Sequence, residues 1–174
     1  YIPYYLGETI EFGSEESNIT SLPKILLGNN AHSMNLVYYN KALSKLKKFA
    51  GFIELFALMS YGECTNEERE EFYQNAREVF NRNFHPVEEF IPQELFSEWL
   101  DRFDIYLSNI PVQSGLGIIY NMLFKGKRVF LTGHNFEWCK SNGFIVFDVN
   151  DMISGDKGLI SPLKMQEKTH NQKK

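Results

Sequence analysis

Short apolar runs alternate with amphipathic stretches along most of this chain, which predicts strands and helices in turn. Lys24 to Leu27 reads as a buried strand ending in Gly28, Asn29 and Asn30. A helix over Met34 to Phe49 follows, with Leu36, Val37, Leu43 and Leu46 inward and Lys41, Lys45 and Lys48 outward. Phe52 to Met59 is a second strand, closed by Ser60, Tyr61 and Gly62. Thr65 and Glu68 have the spacing of a capping box and open a charged helix reaching about Asn81. His85 to Ile91 gives a weaker third strand. Pro92 starts a helix over Gln93 to Arg102, with Leu95, Phe96, Trp99 and Leu100 inward.

Asp104 to Leu107 is the fourth strand, Ile118 to Phe124 a helix and Arg128 to Leu131 the fifth strand. Phe136 to Lys140 forms a short helix and Phe144 to Asp148 the sixth strand. Residues 1–22, with Pro3, Gly7, Gly13 and an acidic cluster, read as an interdomain linker; 23–163 is the domain. The stretch 164–174 reads as a polar, disordered tail. Alternating apolar strands and helices imply an α/β fold, a Rossmann-like parallel sheet of about six strands flanked by helices.

At 174 residues, 43% hydrophobic and 23% charged, the composition is that of a globular domain with a real core. A net charge of −4 supplies no global basic field for nucleic acid. No apolar run approaches the roughly 20 residues of a membrane span. The chain starts at Tyr1, without methionine, and reads as a piece of a longer protein. Cys64 and Cys139 lack metal-ligand spacing and are expected to be reduced thiols.

In such sheets ligands bind beyond the carboxyl ends of the strands. Four loops fall there: Gly28 to Asn30, Ser60 to Gly62, Ser108 to Gly117, and Thr132 to Glu137. Gln113, Ser114, Gly115, Leu116 and Gly117 join a strand to a helix, where backbone N–H groups and the helix dipole suit an anion. Gly126 and Lys127 make no P-loop, since the preceding glycine loop and following Ser or Thr are missing. The Gly115–Gly117 pair has no third glycine and follows the fourth strand, which disfavours a dinucleotide fingerprint. Asp148 to Asp151 is the nearest match to a metal-binding acidic pair and reads better as a helix cap. Asn29 and Asn30 stand where a phosphorelay receiver needs carboxylates.

Gly28 and Asn29 with Asn35 beyond, Met59 and Tyr61, Gln113–Gly115–Gly117, Gly126, and Asn135 with Trp138 fall in order at family-like spacing. Together they resemble the C-terminal half of the bacterial 4-alpha-L-fucosyltransferase family (glycosyltransferase family 56), over about residues 24–152. Its best-known member type is the TDP-N-acetylfucosamine:lipid II N-acetylfucosaminyltransferase of enterobacterial common antigen synthesis. The resemblance implies a GT-B architecture, this chain being the donor-binding domain of a metal-independent glycosyltransferase without a cofactor. The substrate would be a nucleoside-diphosphate sugar, TDP-linked in the family. The acceptor, a lipid-linked saccharide, would sit on an N-terminal domain preceding Tyr1, at the cytoplasmic face of a bacterial plasma membrane.

On this reading the amides of Gly115, Leu116, Gly117 and Ile118 receive the diphosphate, with Gln113 and Ser114 adding side-chain hydrogen bonds. Gly28, Asn29 and Asn30 line the cleft floor, Tyr61 stacks on base or ribose, and Asn135 bonds donor-sugar hydroxyls; Trp138 is a core anchor. Ala31 to Ser33 and His134 depart from the family's pattern and leave the donor open. No catalytic acid or base can be named; the general base is expected in the N-terminal domain. The alternative is a non-enzymatic Rossmann-like nucleotide-binding or interaction module whose loops only make turns.

Overall fold

The computed structural model describes residues 21–174. Of the expected linker, only Ser21 and Leu22 fall among them; the rest lies outside the described residues. The elements run β1 (Lys24–Leu27), α1 (Ser33–Leu46), β2 (Glu54–Leu58), α2 (Asn66–Phe80), β3 (Phe84–Val87) and α3 (Gln93–Leu100). They continue with β4 (Ile105–Ser108), α4 (Leu116–Phe124), β5 (Arg128–Leu131), α5 (Gly133–Ser141), β6 (Phe147–Asp148) and α6 (Met165–Gln172). All pairings are parallel, in the order β3-β2-β1-β4-β5-β6.

Successive strand residues point to opposite faces, so β1 feeds two cores at once. Ile25 and Leu27 join Tyr39, Leu43, Leu55 and Phe72 under α1 and α2. Leu26 joins Leu100, Tyr106, Ile119, Met122 and Val129 under α3 and α4. Burial on both faces explains why β1, β4 and β5 read as unbroken apolar runs. The chain winds outward from β1 to β3, then crosses back to β4. That reversal opens a crevice between the ends of β1 and β4, where such sheets take ligands.

Thr65 and Glu68 form the expected capping box at α2. Asp148 caps a 3-10 turn, Val149–Ser154, by accepting from the Asn150 amide. Edge strand β3 is shorter than predicted, because Phe84 turns into the core beside Phe72 and Tyr73 while Phe90 is exposed. The Val87 carbonyl accepts from Met59, just past the end of β2. Neighbouring residues alternate, so Pro86 faces outward and offers no N–H along that edge.

β6 is also short, because the backbone N–H and C=O of Ile145 bond the Asn171 side chain at 2.8 and 3.0 Å rather than a strand. Asn171 belongs to α6, so residues 164–174 are not the disordered tail expected. They form a helix capped by Glu167 on the Lys164 amide and packed on α4. Trp138 is 40% exposed and stacks with Phe144 at the surface, so it is no core anchor. Val37 and Leu95, expected inward, are exposed. Lys45 leaves the lysine face to donate to Asn150 Oδ1 at 2.6 Å. Both cysteines are free.

Candidate functional site

The four loops do gather at the carboxyl edge, but they differ in how their amides are used. In the turn after β1 every N–H from Gly28 to Leu36 has a protein acceptor. Gly28 donates to Leu107, Ala31 to Tyr61 and Ser33 to Glu63, all to backbone carbonyls. Asn29 and Asn30 donate to the Tyr39 hydroxyl at 3.0 and 3.3 Å. Gly28, at φ +71°, leaves room for the Tyr39 ring, which fills the space a Cβ would need. The backbone donors of Gly28, Asn29 and Asn30, expected to line the cleft floor, are thus all held by the protein. The close approach that the glycine allows is to tyrosine.

The turn after β4 is open. Gly115 adopts φ +68° and caps α4, and among the described residues no acceptor meets the amides of Gly115, Leu116 or Gly117. The Ile118 amide is spent within the first turn on the Gly115 carbonyl at 3.0 Å, so Ile118 drops out of the expected set of donors. Gly117 and Gln113 are exposed, and Ser114 is half-buried. Three unpaired amides at the start of a nine-residue helix, with its dipole behind them, make a fixed positive pole.

Directly beneath the turn lie buried polar atoms without protein partners: Asn29 Oδ1, Tyr106 Oη and Ser108 Oγ. A Cβ at Gly115 would stand 3.0 Å from the Tyr106 hydroxyl and 3.3 Å from Asn29 Cβ. Burial pushes the Tyr106 phenol above its ordinary range. Burial also raises Tyr39, to about 12, against the lowering effect of its bonds from Asn29 and Asn30. Both phenols are neutral at physiological pH, so Tyr39 donates its proton to the Asn30 carbonyl at 2.8 Å. Orphaned buried groups are costly and call for a reason. Here they cluster under a turn that presents free amides at a helix start.

Two asparagines clamp this turn. Asn29 Nδ2 donates to Ser114 Oγ at 2.8 Å, across the crevice from β1. Asn135, buried at the start of α5, donates to the Ser114 carbonyl at 2.7 Å. One of its two N–H donors is thereby held by the protein, and the expected bond to a sugar hydroxyl falls to its remaining polar groups. The exposed His134 donates its backbone N–H to Pro111 and braces the same loop. Tyr61, 51% exposed, borders an apolar slot of about 200 Å³ with Leu58, Phe90, Ile91 and Phe96. A larger groove of about 330 Å³, lined by Phe56, His85, Trp99 and Arg102, shares no residue with the glycine turn.

Sequence reasoning missed Tyr39 and Tyr106, although Ser108 lay in a candidate loop. Each tyrosine sits beside apolar residues and reads as packing, and no spacing rule shows that its hydroxyl rises to the loop level.

No family model and no curated protein matches the sequence. Solved structures do. The OtsA apo structure superimposes with a TM-score of 0.61 at 11% identity, over 89% of this chain and 40% of that one. The C-terminal domain of a glycosyl transferase group 1 family protein, LpcC from Francisella tularensis, gives 0.59 at 14%, over 87% of this chain and 85% of that domain. WaaG, a glycosyltransferase involved in lipopolysaccharide biosynthesis, gives 0.58 at 16%, over 87% and 42%. The fold is that of a GT-B C-terminal domain. Such low identities carry fold alone. The chain spans about two fifths of OtsA and of WaaG, and most of an isolated C-terminal domain.

Proposed function

We propose that this GT-B C-terminal domain binds the donor of a glycosyltransferase and hands its sugar to an acceptor held by a preceding domain. The observation that carries this reading is the β4–α4 turn, with three free amides at a switch-point crevice and orphaned polar groups beneath. A diphosphate seated there meets the amides of Gly115, Leu116 and Gly117. Ser114 Oγ, which already accepts from Asn29, has its own proton to give to a phosphate oxygen. Gln113 adds a flexible donor from the rim.

As the bond to the sugar breaks, the leaving nucleoside diphosphate gains negative charge. Amides fixed before the reaction favour that charge without reorganising, the usual source of a large catalytic effect. Metal independence and the absence of a cofactor belong to this proposal, since these dipoles serve where a cation would. The slot beside Tyr61 suits a planar base, with Phe90 and Phe96 as further aromatic walls. Resemblance to the 4-alpha-L-fucosyltransferase family supports a fucosamine-like 6-deoxy amino sugar, TDP-linked, and a lipid-linked glycan acceptor at the inner face of a bacterial plasma membrane. The general base belongs to the preceding domain.

Titration of the chain with TDP, UDP and GDP, following the amide resonances of Gly115 to Gly117 and of Tyr61, tests the reading. The expected result is weak binding that moves these amides first, with no transfer by the chain alone. Silence from all three nucleotides would favour the non-enzymatic module.

A further inference from the structure

Tyr39 has no place in the donor reading, yet more converges on it than packing requires. It lies in the second turn of α1, fully buried, against the Gly28 backbone. A phenylalanine would fill the same space. The hydroxyl accepts from the amides of Asn29 and Asn30 and donates to the Asn30 carbonyl, which holds three successive peptide planes around Asn29 and Asn30. From the Cα between the first two of those planes the Asn29 side chain crosses the switch point to Ser114 Oγ. Ser114 is the residue immediately before the three free amides, and Asn135 pins its carbonyl from the other side. The Asn29 side chain also lies 3.3–3.4 Å from the position a Cβ on Gly115 would take. Any rotation of the 29–30 peptides therefore displaces Ser114 or presses on Gly115.

We propose that Tyr39 is a positioning residue for the diphosphate site: its hydroxyl sets Asn29, Asn29 sets Ser114, and Ser114 aims the amides of Gly115 to Gly117. The ligand in this inference rests on the donor reading; the coupling between the two loops does not. Tyr39 never touches the ligand. It acts by fixing donors in the direction a diphosphate needs, so that binding does not have to order them.

The test is a double-mutant cycle on the full chain with Tyr39→Phe, Asn29→Ala and the pair, read by the affinity for whichever of TDP, UDP or GDP binds the wild type. Tyr39→Phe is expected to weaken binding roughly tenfold, and by less than about twofold once Asn29 is already alanine. An equal loss in both backgrounds makes Tyr39 merely structural and overturns the proposal, as does unchanged affinity in Tyr39→Phe. Should Tyr39→Phe fail to fold, the same cycle with Asn29→Ala and Ser114→Ala decides: additive losses break the chain of influence. If no nucleotide binds the wild type, the donor reading fails by itself. The resonances of Gly115 and Leu116 then report the coupling, moving in Tyr39→Phe if it holds and standing still if it does not.

Discussion

Gly115 combines a left-handed backbone with the tightest surroundings at the turn, and the two constraints act together. Alanine there takes on a left-handed conformation that costs about 1–2 kcal/mol, and its Cβ meets the Tyr106 hydroxyl at 3.0 Å. Gly115→Ala is expected to lower stability by about 2 kcal/mol in urea titration and to weaken nucleotide binding further by tilting the amides. Tyr106→Phe should do the opposite to the fold. Its hydroxyl faces the Ser108 hydroxyl without a well-formed hydrogen bond, so removing it leaves stability unchanged or raises it by up to ~1 kcal/mol. A marked loss of stability would show that this hydroxyl has a partner after all. Burial also predicts alkaline lability. Cys139 is pushed up from 9.0 to about 11 and Tyr39 from 10.0 to about 12, so the folded chain keeps protons the unfolded chain releases. Stability is then intact below pH 9 and falls as pH rises, through 9 to 11 for the thiol and 10 to 12 for the phenol. Urea midpoints from pH 8 to 11 should decline, less steeply below pH 10 in Cys139→Ala.

At the scale of elements, helices and strands announced themselves where local chemistry and burial agree. The capping box at Thr65 and Glu68, the apolar strand Arg128 to Leu131 and the cap at Asp148 were all legible. Phe144 to Asp148 was legible as extended but not as paired, since a competing side chain 26 residues away takes the Ile145 backbone. Asn171 looks like any tail polar residue; only its burial reveals it as a false strand neighbour. Asn171→Ala leaves a buried donor and acceptor unpaired and is expected to cost about 2–3 kcal/mol. Truncation before Lys164 should cost at least as much by thermal melting. A neutral truncation would mean that α6 adds nothing to the fold.

For the whole molecule, the strand order places a ligand crevice at the carboxyl edge, and the alternation of strands and helices already pointed to that edge. Which loop amides the fold itself consumes did not follow from the sequence. The sequence placed the diphosphate on the Gly115 turn and the 28–30 loop beside it, but not the tyrosine from α1 that takes the amides of Asn29 and Asn30, nor Leu107, whose carbonyl takes that of Gly28. Hydrogen-bond ownership is a property of the folded chain, and no spacing rule displays it. The same ownership makes a thermal prediction: a nucleotide at a hundred times its Kd should stabilise the chain by about 2.7 kcal/mol. That raises the melting temperature by several degrees, and Gly115→Ala should shrink the shift more than Asn171→Ala does.

Pro86 has a consequence for company rather than for catalysis. A bare sheet margin invites another chain to add itself, and repetition of that step ends in fibres. Here the invitation is withdrawn at its middle rung, so copies crowded together lack a template for zipping up. Along the β3 margin, neighbours are recognised through side chains rather than by backbone pairing.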